Sequence, residues 1–269
     1  MIPLEDYFND IISKAMRGLN LNDAHVANNA GVQASAVEAL REGKWDPVVA
    51  RKIAPVLGLG ADALVAAGEK RWAPNPIALE GLAQFNTPFE DMTVNSYLVW
   101  DTASGEAAAF DTGADCGGML DFLAEKKLKL TRIFLTHTHG DHIFDLDRLK
   151  EKTGAPAVVG AREPIDGATP FDPGATFTIA RLGVETRLTW GHSKGGITFV
   201  ISGLAKPVAI VGDAVFAGSM GGGAISYESA LQTNRKEILS LPDETILCPG
   251  HGPLTTVGEQ KVHNPFFAP

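Results

Sequence analysis

Thr136-His137-Thr138-His139-Gly140-Asp141-His142 is the stretch on which the reading of this chain turns. It follows Arg132-Ile133-Phe134-Leu135, an apolar run that reads as a buried strand. Along an extended backbone, residues two apart face the same side, so His137 and His139 can bind one metal ion together. Gly140 lets the chain turn, and Asp141 and His142 are re-aimed toward a second ion. Imidazole and carboxylate donors without a thiolate suit zinc, iron or manganese in a hydrolytic site.

Working outward, three more candidate ligands follow apolar runs at expected strand ends. His192 lies in Trp190-Gly191-His192-Ser193-Lys194-Gly195-Gly196, Asp213 follows Val208-Ala209-Ile210-Val211-Gly212, and His251 lies in Cys248-Pro249-Gly250-His251-Gly252. Each is preceded by glycine, which lets the backbone turn sharply and bring a short ligand in close. Together the seven residues supply five histidines and two aspartates, enough for two ions sharing a bridging carboxylate. Lys194, two residues after a ligand, is a candidate for holding an anionic substrate group. His25 and His263 are read as non-ligands, and Cys248 as a buried structural thiol. Gly221-Gly222-Gly223 is read as a flexible rim loop, because no Lys-Ser/Thr follows it as in a phosphate loop. Phe266 and Phe267 are read as a terminal anchor, with a dimer contact as the alternative.

The intervening pattern is one of short strands and turns from Leu82 onward. Met92–Trp100 and Glu106–Phe110 flank a turn and predict a hairpin. Helices are expected over Met119–Lys127 and Asp145–Lys152, and strands over Ala157–Val159, Thr176–Thr189, Gly195–Ser202, Pro207–Val211 and Thr245–Leu247.

Length and composition bound the answer. The 269 residues, 45% hydrophobic and 20% charged, suit one large domain, or a large and a small one. No apolar run approaches the roughly 20 residues that span a bilayer. The opening Met-Ile-Pro-Leu-Glu-Asp carries acid where a signal peptide carries base, so the expected location is the cytoplasm, with no membrane partner. Two cysteines, Cys116 and Cys248, give no disulfide framework. The net charge of −9 disfavours a broad polyanion-binding surface and leaves small molecules as the expected substrates.

Residues 1–72 read as a separate helical unit, joined by a linker over 73–81 to a domain over 82–269. Phe8, Ile11, Ile12, Ala15, Met16 and Leu19 recur at helical spacing. Leu21–Val32 predicts a short helix closing on Gly31, Gln33–Leu40 another, and Val48, Val49, Ile53, Ala54 and Leu57 a third that Pro55 bends. The series Leu21, Val26, Ala27, Gly31, Val32, Val37, Leu40, Gly43 resembles the phage-repressor type of helix-turn-helix domain over about the first 65 residues. In that family the second helix of the motif reads the major groove. Here that helix offers Gln33, Ser35 and Glu38, and the whole unit carries eight basic against nine acidic side chains. DNA is therefore not an expected partner, and a dimerisation or cap role is expected instead. A homodimer is left open.

Residues 80–269 resemble the metallo-β-lactamase superfamily, and the HxHxDH…His…Asp…His series is similar to its glyoxalase II group, in the short bacterial form. The resemblance implies an α+β fold, an αββα sandwich with the site along one edge of two packed sheets. It implies that His137, His139 and His192 hold one metal, and Asp141, His142 and His251 a second, with Asp213 bridging. Two divalent ions are implied, zinc first, with iron or manganese as alternatives. Asp111 matches a strand-end aspartate that orders the metal loop. The implied activity is thioester hydrolysis by a hydroxide shared between the ions, with Asp141 and Asp213 as the catalytic carboxylates. A mononuclear iron persulfide dioxygenase, a lactone or phosphodiester hydrolase, and a metabolite-sensing regulator are the alternatives. Two departures bear on the thiol carrier. The C-terminal helical domain that helps full-length glyoxalase II hold glutathione has no expected counterpart within these 269 residues, and Gly218-Ser219-Met220-Gly221-Gly222-Gly223 stands where short relatives often have Gly-Arg-Thr-Asp.

Overall fold

Ile11, Ile12, Ala15 and Met16 recur every three or four residues, and the computed structural model, which describes residues 2–269, buries all four along α1 (Phe8–Gly18). Leu19 lies just past this helix and is exposed. α2 (Asp23–Ala30) is capped by Asn22 at its start and by Gly31, at φ 63°, at its end. α3 (Ala34–Arg41) buries Val37 and Leu40. α4 (Pro47–Ile53) stops before Pro55, whose ring opens a single 3₁₀ turn, and Val48 faces solvent. α5 (Ala61–Gly68) completes the unit.

The rest forms two six-stranded sheets. In the first, β1 (Leu82–Phe89), β2 (Met92–Trp100), β3 (Glu106–Phe110), β4 (Lys129–Leu135), β5 (Ala157–Gly160) and β6 (Ala168–Phe171) lie side by side in chain order. β1, β2 and β3 are antiparallel neighbours, and β3 to β6 run parallel. α6 (Gly117–Lys126) supplies the crossover from β3 to β4, and the single turn α7 (Gly140–Ile143) with α8 (Leu146–Thr153) that from β4 to β5. The second sheet runs from the edge strand β7 (Thr176–Ile179) through β8 (Leu182–Leu188), β9 (Ile197–Ser202), β10 (Val208–Gly212) and β11 (Ile246–Pro249) to β12 (Thr255–Thr256). α9 (Tyr227–Thr233), continued by a π-helical turn, and α10 (Val257–His263) pack around it.

Burial divides these layers. Tyr97, Phe110 and Phe134 of the first sheet meet Val184, Phe199 and Ile210 of the second, and the Phe110 and Phe134 rings stack at 5.0 Å. The first sheet's outer face, including Leu98, Ala109 and Ile133, is covered by Met119, Leu123 and Leu149. The second sheet's outer face, including Ala209, Val211 and Leu247, is covered by Ile238 and Val257. The result is the expected αββα sandwich.

The strand directions fix where the site forms. β3 and β4 run parallel, so Asp111 and Thr136 follow their C-terminal ends at one edge. β10 and β11 also run parallel, which places Asp213 and His251 together on the facing sheet. β9 is antiparallel to both β8 and β10, so the chain leaving β8 toward His192 emerges at that same edge.

The helical unit shares its core with the sandwich: Ile11, Val26, Leu40 and Leu64 belong to one apolar cluster with Met220, Tyr227, Ala230 and Phe266. Phe266 is buried there as an anchor, with Phe267 packed beside it. Among the described residues no helix is long and apolar enough to cross a membrane.

Candidate metal centre

Beyond β4, the extended backbone carries His137 and His139 onto one side, with His137 Nε2 3.0 Å from His139 Nδ1. His192 Nε2 lies 3.0 Å from the same His139 nitrogen and 3.3 Å from Asp213 Oδ2. His137 Nε2 is 3.9 Å from Asp213 Oδ2. On the other side, His142 Nε2 is 3.5 Å from Asp141 Oδ2 and 3.3 Å from Asp213 Oδ1. His251 Nε2 is 3.3 Å from Asp141 Oδ2 and 3.4 Å from Asp213 Oδ2. All seven residues singled out in the sequence thus converge, in two groups, each with its donor atoms within 4.8 Å of one another.

The orientation of each ring follows from what its far nitrogen meets. His142 Nδ1 lies 2.8 Å from the Asp111 carboxylate, His192 Nδ1 2.9 Å from the Gly222 carbonyl, and His251 Nδ1 2.7 Å from the Thr93 carbonyl. These oxygens only accept, so each Nδ1 carries a proton and each Nε2 faces the centre. Thr136 Oγ1, which donates to Asp111, likewise takes the His137 Nδ1 proton across 3.0 Å.

These residues fit a metal pair. His142 Nε2 and Asp213 Oδ1 are buried, face each other, and make no hydrogen bond. An orphaned pair of this kind is costly unless a further group satisfies it. Donor separations of 3.0–3.9 Å match the roughly 3.3 Å edge of a tetrahedron with metal–nitrogen bonds of about 2.0–2.1 Å. Gly250 keeps the cradle open, since a Cβ there would lie 2.1 Å from Asp213 Oδ1 and 2.6 Å from His142 Cε1.

The electrostatics of the bare chain agree. Burial alone would lower the pKa of His142, but the Asp213 and Asp111 carboxylates outweigh it and raise the value to about 10. His251 is likewise pulled down by burial, yet Asp213 and Asp141 lift it to about 11. Burial dominates at His137 and His192 and lowers both. Asp213 resists burial because His251 and His142 hold it far below the usual carboxylate range. Protons on His142 and His251 offset the carboxylates that cations otherwise would.

Asp111 is almost fully buried and sits at φ 57°; its oxygens accept from Thr136 N, Thr136 Oγ1 and His142 Nδ1 at 2.7–2.8 Å. It fixes both the His142 ring and the backbone that launches His137. Lys194 is exposed on the His192 loop. His25 and His263 lie outside both groups; His263 stacks on Trp72 at 4.7 Å. Cys248 is fully buried, and burial pushes its thiol pKa well up.

The flexible rim expected at Gly221-Gly222-Gly223 is instead a brace. Gly221 N donates to the Asp213 carbonyl at 3.1 Å, and a Cβ at Gly221 would strike that oxygen at 2.0 Å. With the Gly222 carbonyl on His192, this strip ties two ligands through backbone alone. Other supports also escaped the sequence reading. Glu163 accepts from Thr138 N and Gly195 N, joining the His137–His142 and His192 loops, and no sequence signal marks it. Asn95 donates to the carbonyls of Pro249 and Gly252, and Tyr97 Oη to that of Pro249, clamping the His251 loop. Asn95-Ser96 interrupting an apolar strand was the available signal.

Residues 90–251 match the family model described as the metallo-beta-lactamase superfamily. The hydroxyacylglutathione hydrolase of Cereibacter sphaeroides is 35% identical over 160 residues, covering 58% of this chain and 61% of that protein. The hydroxyacylglutathione hydrolase GloC of Haemophilus influenzae is 29% identical over 199 residues, covering 64% and 92%. The crystal structure of ETHE1 from Myxococcus xanthus superposes with a TM-score of 0.60 at 26% identity, covering 68% and 83%. Sandwich, strand-end cluster and family match agree: this chain belongs to the metallo-beta-lactamase superfamily.

Proposed function

We propose that the chain is a metal-dependent hydrolase that cleaves thioesters at two divalent ions, zinc being the expected pair. The observation that carries this is the position of Asp213, whose Oδ1 faces His142 at 3.3 Å and whose Oδ2 faces His192 at 3.3 Å. One carboxylate thus joins two donor groups, the place a bridging ligand of two ions would take. His137, His139 and His192 would hold one ion and Asp141, His142 and His251 the other.

When bound, such ions supply a nucleophilic water at neutral pH and polarise the scissile carbonyl. The residues do the rest. Asp213 sets the separation of the two donor groups. Asp141, beside His142 and His251, would help hold its ion and additionally orient the attacking water. Asp111, Gly222 and Thr93 lock the imidazoles beforehand, so little reorganisation accompanies binding. Thioesters are favoured by the two hydroxyacylglutathione hydrolases among the relatives.

The test is metal quantification coupled to a panel of thioesters, lactones and persulfides. Two equivalents per chain with thioester turnover is the expected result, and His137→Ala should abolish turnover with the fold retained. One iron per chain with oxygen uptake on a persulfide would overturn the reading.

A further inference from the structure

The loops that carry Asp213 and His251 are both held by the opening segment of the helical unit. Gly252, at φ 76°, is packed by it: a Cβ there would lie 3.3 Å from Glu5 N and 3.6 Å from Glu5 Cβ. On the other loop, Ser219 Oγ donates to Asp6 Oδ2 at 2.5 Å. Lys14, paired with Asp6, donates to the Met220 carbonyl at 2.9 Å and lies 5.0 Å from the centroid of the Phe216 ring. Phe216 in turn meets the His251 ring edge-on at 5.5 Å. Between these attachments Glu5 is half-buried; burial raises its pKa, and the neighbouring His251 opposes that rise. Among the described residues no salt bridge or side-chain hydrogen bond engages its carboxylate.

We propose that Glu5 is a specificity-determining residue of the metal cleft: its unpaired carboxylate forms an anionic rim beside His251. That rim favours thioesters with a cationic leaving group over those whose leaving group carries a carboxylate. This rests on the thioesterase reading above. The nearest cation of the same segment, Lys14, is already engaged by Asp6 and the Met220 carbonyl. Lys194, the sequence candidate for an anionic group, stands on the His192 loop, which packs against Arg162 and Glu163 and not against Glu5. An anionic thiol carrier such as glutathione would meet like charge on the His251 side, and like-charge juxtaposition is a means of rejecting a ligand. The helical unit then has a function in catalysis: it delivers this side chain to a domain whose family match begins at residue 90.

The experiment uses the full-length, zinc-loaded protein and two small thiols that differ in charge, thiocholine and thioglycolate. Their affinities are measured by calorimetry, and the hydrolysis of their acetyl thioesters is followed in parallel. The wild type should prefer thiocholine. Glu5→Gln should reduce the thiocholine-to-thioglycolate affinity ratio about tenfold, the scale of one charge acting across a partly hydrated cleft. Glu5→Lys should reduce it further, and Glu5→Asp should retain the wild-type preference. A ratio unchanged within twofold in both Glu5→Gln and Glu5→Lys, at wild-type zinc content, would overturn the proposal. Failure of both thioesters to turn over while the thiol ratio shifts would sink the thioesterase reading and leave the anionic rim standing.

Discussion

Asp111→Asn isolates one charge at the point where the sheet hands the chain to the metal loop. Asparagine is among the few side chains that tolerate the left-handed backbone found at Asp111, so the substitution leaves φ 57° undisturbed. The carboxylate accepts three hydrogen bonds at 2.7–2.8 Å, from Thr136 N, Thr136 Oγ1 and His142 Nδ1. At 2% exposure, water cannot substitute for a lost partner. An amide has one accepting oxygen. If it replaces Oδ2, the amino group confronts Thr136 N; if it replaces Oδ1, the amino group confronts the His142 Nδ1 proton. Either orientation forfeits at least one bond to a charged acceptor, a loss of about 1.5–3 kcal/mol. In a chain of 269 residues that lowers the melting temperature by roughly 3–5 °C. His142 is left with a neutral amide acceptor or with none in place of a carboxylate, and loosened support of this kind typically weakens metal affinity about 10- to 100-fold. The assay is equilibrium dialysis against graded chelator, with metal counted per chain and unfolding followed by heat. The expected result is selective loss of the second equivalent at lower chelator concentration, with the first retained. Both equivalents held at wild-type affinity would refute the claim that Asp111 acts through His142.

The remaining predictions concern the same cradle and the helical unit. Gly250→Ala puts a methyl group 2.1 Å from Asp213 Oδ1, and should cost metal content and at least about a hundredfold in turnover; wild-type metal content would show that the cradle yields. In the metal-free protein, burial disfavours the charged form of His142 and His251, yet their carboxylate partners raise them to about 10 and about 11. Folded values above the unfolded 6.5 mean that this stabilisation is complete below about pH 6.5 and is lost as pH rises through 10–11. The chelated protein should therefore melt at progressively lower temperature from pH 7 to 10, and metal uptake at pH 7 should release protons. A flat melting profile with no proton release would show these imidazoles to be neutral already. The exposed face of α3 offers Gln33, Ser35 and Glu38, and Arg41 is engaged by Asp23 at 2.7 and 2.6 Å. Full-length protein should leave duplex DNA unshifted at low salt, whereas a salt-dependent affinity would reinstate a DNA-reading role.

What the sequence revealed of this site and what it hid have one physical cause: side-chain chemistry is written locally, and backbone chemistry is not. His137 and His139 were legible because an apolar strand leading into HxH is a short-range pattern. The union of that stretch with His192, Asp213 and His251 was legible through family resemblance, since nothing in the spacings states that β4, β8, β10 and β11 all end at one edge. The braces were hidden more deeply. His192 and His251 are oriented by the carbonyls of Gly222 and Thr93, which any residue could present, so residue identity carries no trace of the role. Pro170 weakens the strand pattern of β6, and an edge strand is where proline is tolerated. The π-helical turn leaves no regular apolar period to read, since Asn234 occupies a core position and its amide donates to the Ala214 carbonyl at 2.6 Å. α10 is legible locally, for Thr256-Val257-Gly258-Glu259 has the spacing of the capping box that the structure shows. The helical unit is the instructive case. Its repressor-like spacing correctly gave a helical module, but spacing records only which side chains a unit buries within itself. That the unit also buries Tyr227 and Phe266, and lays its opening segment along Gly252, is a property of the surface it meets.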